Sequence, residues 1–583
     1  MIRSIGTTAT VLTANRVMIY SGILRRWTVL PVGPSAVVTT NNAYVIIEDG
    51  ASVHGWASRI GKVETLSVSA TRKVLPGPAS ANWVTLVHDG TKVYGFSAFK
   101  GKWAPLTVGN ATPTIVVHQL GAVVHDRVKA YGFSVYHGTW VPTVAPGTQV
   151  SLQGAGVVGM ANSPTLIRGF AARTNTWSTR AVASTANVTM GRGYALVTSG
   201  KTVTAFSGYR GNFASFAAAN TVFTTTAKRN IATIVDGNTV AAYAATQGTF
   251  QTIRMTSPTV LTNSEVAVAS STVDRAVVGF SGVTGKFSSA LHGGPWTVSI
   301  DETAAFAQGS PFSAAYSPIL NTWVRAPSVS ITQVTTLRNS IILTHPGGFT
   351  GFSARYAKWM PLAASSAATL NGPRRGRGAT LVITDRGKMH AWDSRLGRWA
   401  TVTTALTPNL AIFRTVALGE DGNTGYGFGL MQNVWDTIQL QGKVTVLRSS
   451  SSIGYIQTTN HLHIFSAHGS LSTLSRFPEF SRFQLTGTNL RLIQVAPARS
   501  FVAGLLGLAP GLLQSSFGTL FLDPLGPIFP LALPVVPADG RLDFTLPVPN
   551  DPSLSGRALH IQNLIVPPNG LPYLTNSTSP VIV

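Results

Sequence analysis

Short apolar runs, each broken within a few residues by Gly, Asn, Asp, Lys or Arg, set the rhythm of this chain. Between residues 114 and 144, Thr114-Ile-Val-Val-His118 reads as a strand, Gln119-Leu120-Gly121 as a turn and Ala122-Val-Val-His125 as a second strand. Asp126-Arg127 turns the chain again, Val128 to Tyr136 reads as a third strand, His137-Gly138 as a third turn and Thr139 to Val144 as a fourth strand. Such runs, separated by tight-turn residues, predict a four-stranded antiparallel meander. The sequence signals of helical repeats are absent.

The third strand and the turn after it carry a signature. Gly95-Phe96-Ser97-Ala98-Phe99-Lys100-Gly101-Lys102-Trp103 shows it: a small residue, an aromatic, a small or polar residue, a basic turn with Gly or Asn, and a second aromatic. The first aromatic recurs thirteen times, at Tyr20, Trp56, Phe96, Phe133, Phe170, Phe206, Tyr243, Phe280, Tyr316, Phe352, Trp392, Phe428 and Phe465. The steps are 36, 40, 37, 37, 36, 37, 37, 36, 36, 40, 36 and 37 residues. A period of this length marks a repeat protein, and radial repetition of four-stranded meanders is a β-propeller. The expected fold is all-β: a propeller of about thirteen ~37-residue repeats over 1–485, then a small C-terminal β-sandwich over 486–583. Thirteen blades exceed an ordinary ring. Two tandem rings with a boundary near 220–260, or one unusually large ring, would hold them. The chain begins near the second strand of its first blade, so a first strand is expected from the far end, around Phe483 to Val495.

Each signature position predicts a physical role. The small residue lets a neighbouring strand or sheet approach closely. Gly or Asn five residues after the first aromatic (Gly61, Gly101, Gly138, Asn175, Gly211, Gly248, Gly285, Asn321, Gly397, Asn433) suits a tight hairpin with φ > 0. The aromatic pairs, such as Phe96/Trp103, Phe133/Trp140, Phe170/Trp177, Phe352/Trp359, Trp392/Trp399 and Phe428/Trp435, are expected to fill the space between blades rather than stack on sugars.

The hairpins Tyr316-Ser-Pro-Ile-Leu-Asn-Thr-Trp323 and Trp392-Asp-Ser-Arg-Leu-Gly-Arg-Trp399 resemble the second half of a kelch motif, with its aromatic and its Trp seven apart. The Gly-Gly doublet of kelch repeats is missing. The copper-oxidase chemistry known for the kelch fold needs a Cys crosslinked to Tyr, and this chain has no Cys. Near the end, Leu546-Pro-Val-Pro-Asn550, Leu554-Ser-Gly556, His560-Ile-Gln562 and Leu574-Thr-Asn576 resemble a C-terminal module of uncharacterised secreted bacterial proteins. That likeness implies an extracellular or cell-surface protein whose signal segment is not in this sequence. Asn576-Ser577-Thr578 is also a glycosylation sequon.

Composition adds constraints. Without Cys there is no disulfide framework, thiolate metal site or Cys nucleophile. No apolar run is long enough for a transmembrane helix. Net charge is +24, from 44 Lys and Arg against 20 Asp and Glu, which favours anionic polymers as partners.

Candidate chemistry is sparse. Asp49, Asp89, Asp126, Asp236, Asp385 and Asp421 each lie seven residues before a first aromatic, in the second turn, where Asp serves backbone geometry. Among the rest only Asp301-Glu302 are adjacent, and no carboxylate pair or metal-ligand spacing stands out. His88 and His125 sit beside turn Asp residues, and His54, His390 and His463 lie two residues before first aromatics. Such repetition points to structural roles. The cations are ordered. In a meander the first and third turns share one rim. That rim collects Arg59, Lys62, Lys100, Lys102, Arg173, Arg210, Arg355, Lys358, Arg395 and Arg398 from third turns and Arg374, Arg375 and Arg377 from a first turn. The expectation is a disc that is basic on one face and more acidic on the other. The function expected is non-catalytic binding of acidic polysaccharide or cell-envelope polymer, with contacts to other surface proteins and no cofactor or metal. A secreted polysaccharide lyase or hydrolase is the alternative, and nucleic-acid binding rests on charge alone.

Overall fold

The computed structural model describes residues 2–574 except 14–15, 78–82, 148, 184–185, 373–377, 406, 441, 460, 469–470, 476–481, 487–488, 496–498, 508–509, 516–517, 523–527, 538–540, 548–559, 567 and 569–571. Among the described residues there is no helix. Thirteen four-stranded antiparallel sheets follow one another, each with its strands in sequence order. They are propeller-type blades, numbered here by residues 2–31, 37–67, 73–107, 114–144, 151–181, 187–217, 224–254, 259–292, 297–325, 333–363, 369–403, 409–439 and 444–475. In blade 4 the strands are Thr114–His118, Gly121–His125, Lys129–Ser134 and Thr139–Val144. The turns therefore fall where the sequence puts them, with a shorter third strand.

The chain divides into two compact units: residues 35–407 with 412–417, and residues 1–34, 408–411 and 418–583. In the larger unit, blades 2–11 pack in succession, and blades 5, 6 and 7 share clusters without a break across 220–260.

Three consecutive positions of the third strand lock blades to their neighbours. All thirteen first aromatics are at most 1% exposed, and burying each ring contributes about 2–3 kcal/mol. The preceding glycine is the socket for the next blade's ring. A Cβ on Gly55 would meet Phe96, on Gly95 Phe133, on Gly169 Phe206, on Gly279 Tyr316 and on Gly351 Trp392, all inside 3 Å. The serine that follows the aromatic reaches the same neighbour: Ser97 Oγ donates to Val135 O at 2.5 Å, Ser134 Oγ to Ala172 O at 2.5 Å and Ser207 Oγ to Ala245 O at 2.6 Å. The second aromatic reaches back. It pairs across the hairpin with the first, as Phe96 does with Trp103 at 5.0 Å between centroids. The indole N–H of Trp103, Trp140, Trp177 and Trp399 then donates to Glu64, Ala104, Val141 and Met360 carbonyls of the preceding blade. The ten Gly and Asn residues picked out for φ > 0 all have it, and Arg25 (57°) and Ala357 (49°) adopt it at the same turn position.

The second aromatics correct one expectation. They do not fill the space between blades as completely as the first aromatics do. Trp359 and Trp435 are half-buried, as are Trp140, Trp177 and Trp399. The fourth strand is the last of its sheet and is hydrogen-bonded on one side only, so each of these rings keeps an edge in solvent. Trp359 and Trp435 still pair with their first aromatics, Phe352 at 4.9 Å and Phe428 at 5.4 Å between centroids. Trp359 also departs from the reach-back hydrogen bond. Its buried indole N–H finds no acceptor among the described residues, and the ring instead meets Phe306 of the preceding blade edge-on at 6.4 Å.

In the other unit, blade 1 packs on blade 13. Ala9, Val11, Met18, Tyr20 and Trp27 share a cluster with Ile453, Tyr455, Leu462 and Ile464. Ser466 Oγ donates to Gly22 O at 2.5 Å. Blade 1 owns its first strand, Ile2–Ile5, paired with Thr8–Thr13. The expected donation from 483–495 does not occur. That stretch forms Arg482–Thr486 and Asn489–Val495, which pair with each other, and Asn489–Val495 pairs on its other side with Arg541–Pro547. A second C-terminal sheet joins Phe501–Gly507 to Ile528–Leu533 and His560–Val566. Val502, Leu533, Leu542, Phe544 and Ile565 from the two sheets share one cluster.

Candidate functional site

Each meander places its first and third turns at one end of the strands, and its second turn and the linker to the next blade at the other. At the first end, Arg59, Lys62, Lys100, Lys102, Arg173, Arg210, Arg355, Lys358 and Arg398 are exposed and Arg395 is half-buried. Arg374, Arg375 and Arg377 lie outside the described residues. Across blades 2–6 the third turns Ser58–Lys62, Ala98–Lys102, Val135–Thr139, Ala172–Thr176 and Gly208–Asn212 contain no carboxylate.

These cations are held differently. Arg210 is tied down, its Nε donating to Thr246 O at 2.9 Å and its Nη2 to Gln247 Oε1 at 3.3 Å. The Arg59 guanidinium lies over Phe99 of the next blade, 5.4 Å from the ring centroid, and that of Arg173 over Tyr209 at 5.9 Å. Lys100 and Lys102 run beside the turn of blade 4, where a Cβ on Gly138 would lie 3.2 Å from Lys100 Cγ and 3.3 Å from Lys102 Cε.

The opposite end uses its Asp residues internally. Asp126 Oδ2 accepts the Gly109 N–H at 3.1 Å, Asp236 Oδ2 the Ala219 N–H at 2.6 Å and Asp385 Oδ2 the Ser365 N–H at 2.9 Å. Each carboxylate thus clamps the linker that enters its own blade to the second turn. Ser69, both hydroxyl and N–H, holds Asp89 below the usual carboxylate range, and the Ala219 and Ser365 donors do the same for Asp236 and Asp385. Cations stand among them, including Lys92, Arg127, Lys201, Arg275 and Arg386. This end is charge-mixed.

One cluster escaped sequence reasoning. Glu302, on the first turn of blade 9, accepts from Arg229 Nη1 of blade 7 at 3.1 Å and lies 3.4 Å from Arg338 Nε of blade 10. Glu265 of blade 8 adjoins it, its N–H donating to Glu302 O at 2.9 Å and its Oε1 accepting from Asn230 Nδ2 at 3.4 Å. Burial raises the Glu265 pKa against the pull of Arg338 and Arg229. The adjacency of Asp301 and Glu302 was the visible hint. The partners come from three other repeats, where no spacing rule looks. Four histidines make local hydrogen bonds: His54 and His390 bond through Nδ1 to Thr65 and Thr401 Oγ1 at 2.9 Å, and His88 and His125 bond backbone carbonyls. Among the described residues no group of three His, Asp or Glu could hold a metal, and no helix is long and apolar enough to cross a membrane.

No protein-family model matches the chain, and no curated protein matches it. Solved structures do. The extracellular domain of a one-component system from B. thetaiotaomicron is 9% identical, covering 99% of this chain and 91% of that one, with a TM-score of 0.17. PorZ, a surface component of the type-IX secretion system of Porphyromonas gingivalis, is 8% identical over 99% of this chain and 98% of its own, at 0.17. AztD from Citrobacter koseri is 11% identical over 49% of this chain and 94% of its own, at 0.20. Scores that low transfer no function.

Proposed function

We propose that this is a non-catalytic binding or structural protein of the cell exterior, whose first- and third-turn rim contacts anionic polymers such as acidic polysaccharide or envelope components. The observation that supports this reading is the set of exposed cations on the third turns of blades 2, 3, 5 and 6, with no carboxylate on any third turn of blades 2–6. One sign of charge along a surface raises the local concentration of an oppositely charged chain. The extracellular placement rests on the likeness of the C-terminal module to secreted bacterial proteins. Other surface proteins are further partners within the same reading. The carboxylates of Asp89, Asp126, Asp236 and Asp385 are engaged with the backbone of the linkers. Glu265 and Glu302, side by side on the same rim, are what a polysaccharide-cleaving enzyme would use, and they favour that as the second reading.

Affinity electrophoresis through acidic polysaccharide, neutral polysaccharide and DNA, at low and high salt, tests the proposal. Retardation by an acidic glycan that survives salt supports it, and that glycan is then assayed for cleavage. Equal retardation by every polyanion, lost in salt, means generic charge. No retardation refutes a polymer-binding rim.

A further inference from the structure

The third residue after each first aromatic sits in the third turn. In blades 1, 8 and 9 it is Ile23, Val283 or Ile319, so an aliphatic side chain satisfies the packing there. In blades 2–6 it is Arg59, Phe99, Tyr136, Arg173 and Tyr209 in unbroken succession. These side chains lean on one another along the rim. Arg59 lies over Phe99, Phe99 and Tyr136 are 4.9 Å apart, and Arg173 lies over Tyr209. Trp83 closes on Phe99 at 4.5 Å. Among the described residues neither the Arg59 nor the Arg173 guanidinium has an ion-pair or hydrogen-bond partner, unlike Arg210.

We propose that Arg59 and Arg173, braced by Phe99 and Tyr209 and flanked by Lys100 and Lys102, form a subsite that reads the carboxylates of a uronate-type acidic polysaccharide. The inference rests on the polymer-binding rim and names its ligand chemistry. A guanidinium laid on an aromatic ring keeps a planar donor fork ready for a two-oxygen acceptor and loses little freedom on binding. The neighbouring lysines add point charge without geometry. Nucleic acid is disfavoured because base recognition needs open ring faces. Here Phe99 is already covered by Arg59, Trp83 and Tyr136, and Tyr209 by Arg173.

The full chain is tested as wild type, as R59K/R173K, which keeps charge and removes the fork, and as the control R180K/R254K at the other end of the strands. The probes are polygalacturonate, dextran sulfate and single-stranded DNA, and thermal melting verifies that each variant is folded. The expected result is a loss of at least about tenfold in polygalacturonate affinity for R59K/R173K alone, with binding of the other two probes kept. Wild-type-like polygalacturonate binding by R59K/R173K overturns the subsite while leaving the rim standing. Preferential binding of single-stranded DNA by the wild type overturns it in favour of nucleic acid. A wild type that binds none of the probes refutes the rim itself.

Discussion

Replacing Gly169 by Ala should loosen the joint between blades 5 and 6. The new Cβ would lie 2.5 Å from Phe206 Cδ1 and 2.6 Å from Cε1 and Cγ. Carbon atoms in contact prefer about 3.5–4.0 Å, so ring and strand must part by about 1 Å. The ring has no room to retreat: Phe206 is 0% exposed and its centroid is 4.9 Å from that of Phe213. Overpacking of this kind costs about 1–3 kcal/mol. Removing glycine's freedom in the unfolded chain returns about 0.4–1 kcal/mol. The net expectation is a loss of about 1–2 kcal/mol. The next joint shows the alternative, since Ala205 stands in the equivalent place beside Tyr243 in a cluster built around it. Repeat arrays are stabilised by neighbour interfaces, so the assay is local: amide exchange in Leu166–Ala171 and Thr202–Ser207, alongside calorimetric melting. Both strands should exchange faster. The double variant Gly169→Ala/Phe206→Leu should lose less than the sum of the single losses, by at least about 0.5 kcal/mol. Unchanged or slower exchange in Gly169→Ala would refute the socket.

Ala357→Gly should raise the melting temperature, by relieving φ = 49° at a turn where glycine or asparagine is the rule, for a gain of up to about 1 kcal/mol. Ser466→Ala strands the Gly22 carbonyl at a cost of about 1–3 kcal/mol, read as faster exchange in Arg16–Ser21 and His461–Ser466. Acid should destabilise in two stages, followed by calorimetry from pH 7 to pH 2. Burial holds His118 and His463 down to about 4, so between about pH 6.5 and 4 the unfolded chain takes up protons that the native chain refuses, and stability falls. Below about pH 4 the depressed Asp89, Asp236 and Asp385 lose the linker clamps as they protonate. Flat stability between pH 6.5 and 4 would contradict the first stage.

The repeat, its strands and its turns were legible because they are set by residues within one period. A buried ring has to be large and apolar, and a hairpin residue with φ > 0 has to be Gly or Asn at little cost. The small residue before the ring was readable as a close approach, though not as the seat of the next blade's aromatic. What joins one blade to the next was not legible. Ser97 to Val135, Trp103 to Glu64 and Asp126 to Gly109 depend on the offset between neighbouring sheets, and a periodic sequence looks the same at any offset. The partial exposure of Trp359 and Trp435 was hidden for a related reason: a Trp reads as core by its size, whether its strand lies inside the sheet or at its edge. The same blindness hid Arg229, Glu265, Glu302 and Arg338, whose meeting spans four blades. The first strand of blade 1 was missed for a different reason. Ile2-Arg-Ser-Ile5 is four residues long, too short to show a strand pattern before its turn.

The joint between blades is directional, and that decides where selection can act on the rim. On the third strands the glycine and serine face the following blade, while the ring and the fourth-strand indole face the preceding one. These positions are committed to packing in nearly every repeat, which explains why they recur. The turn residue three places after the ring is not held to one side-chain type, since Ile23, Arg59, Thr246 and Met431 all occupy it. A position that accepts such different side chains in an otherwise constrained repeat is where a binding surface can be written. Blades 2–6 fill it without interruption with both guanidinium and aromatic groups, while blades 10 and 11 hold it with Arg355 and Arg395 and no aromatic, so ligand contact should concentrate on blades 2–6, and not follow the thirteenfold repetition of the core.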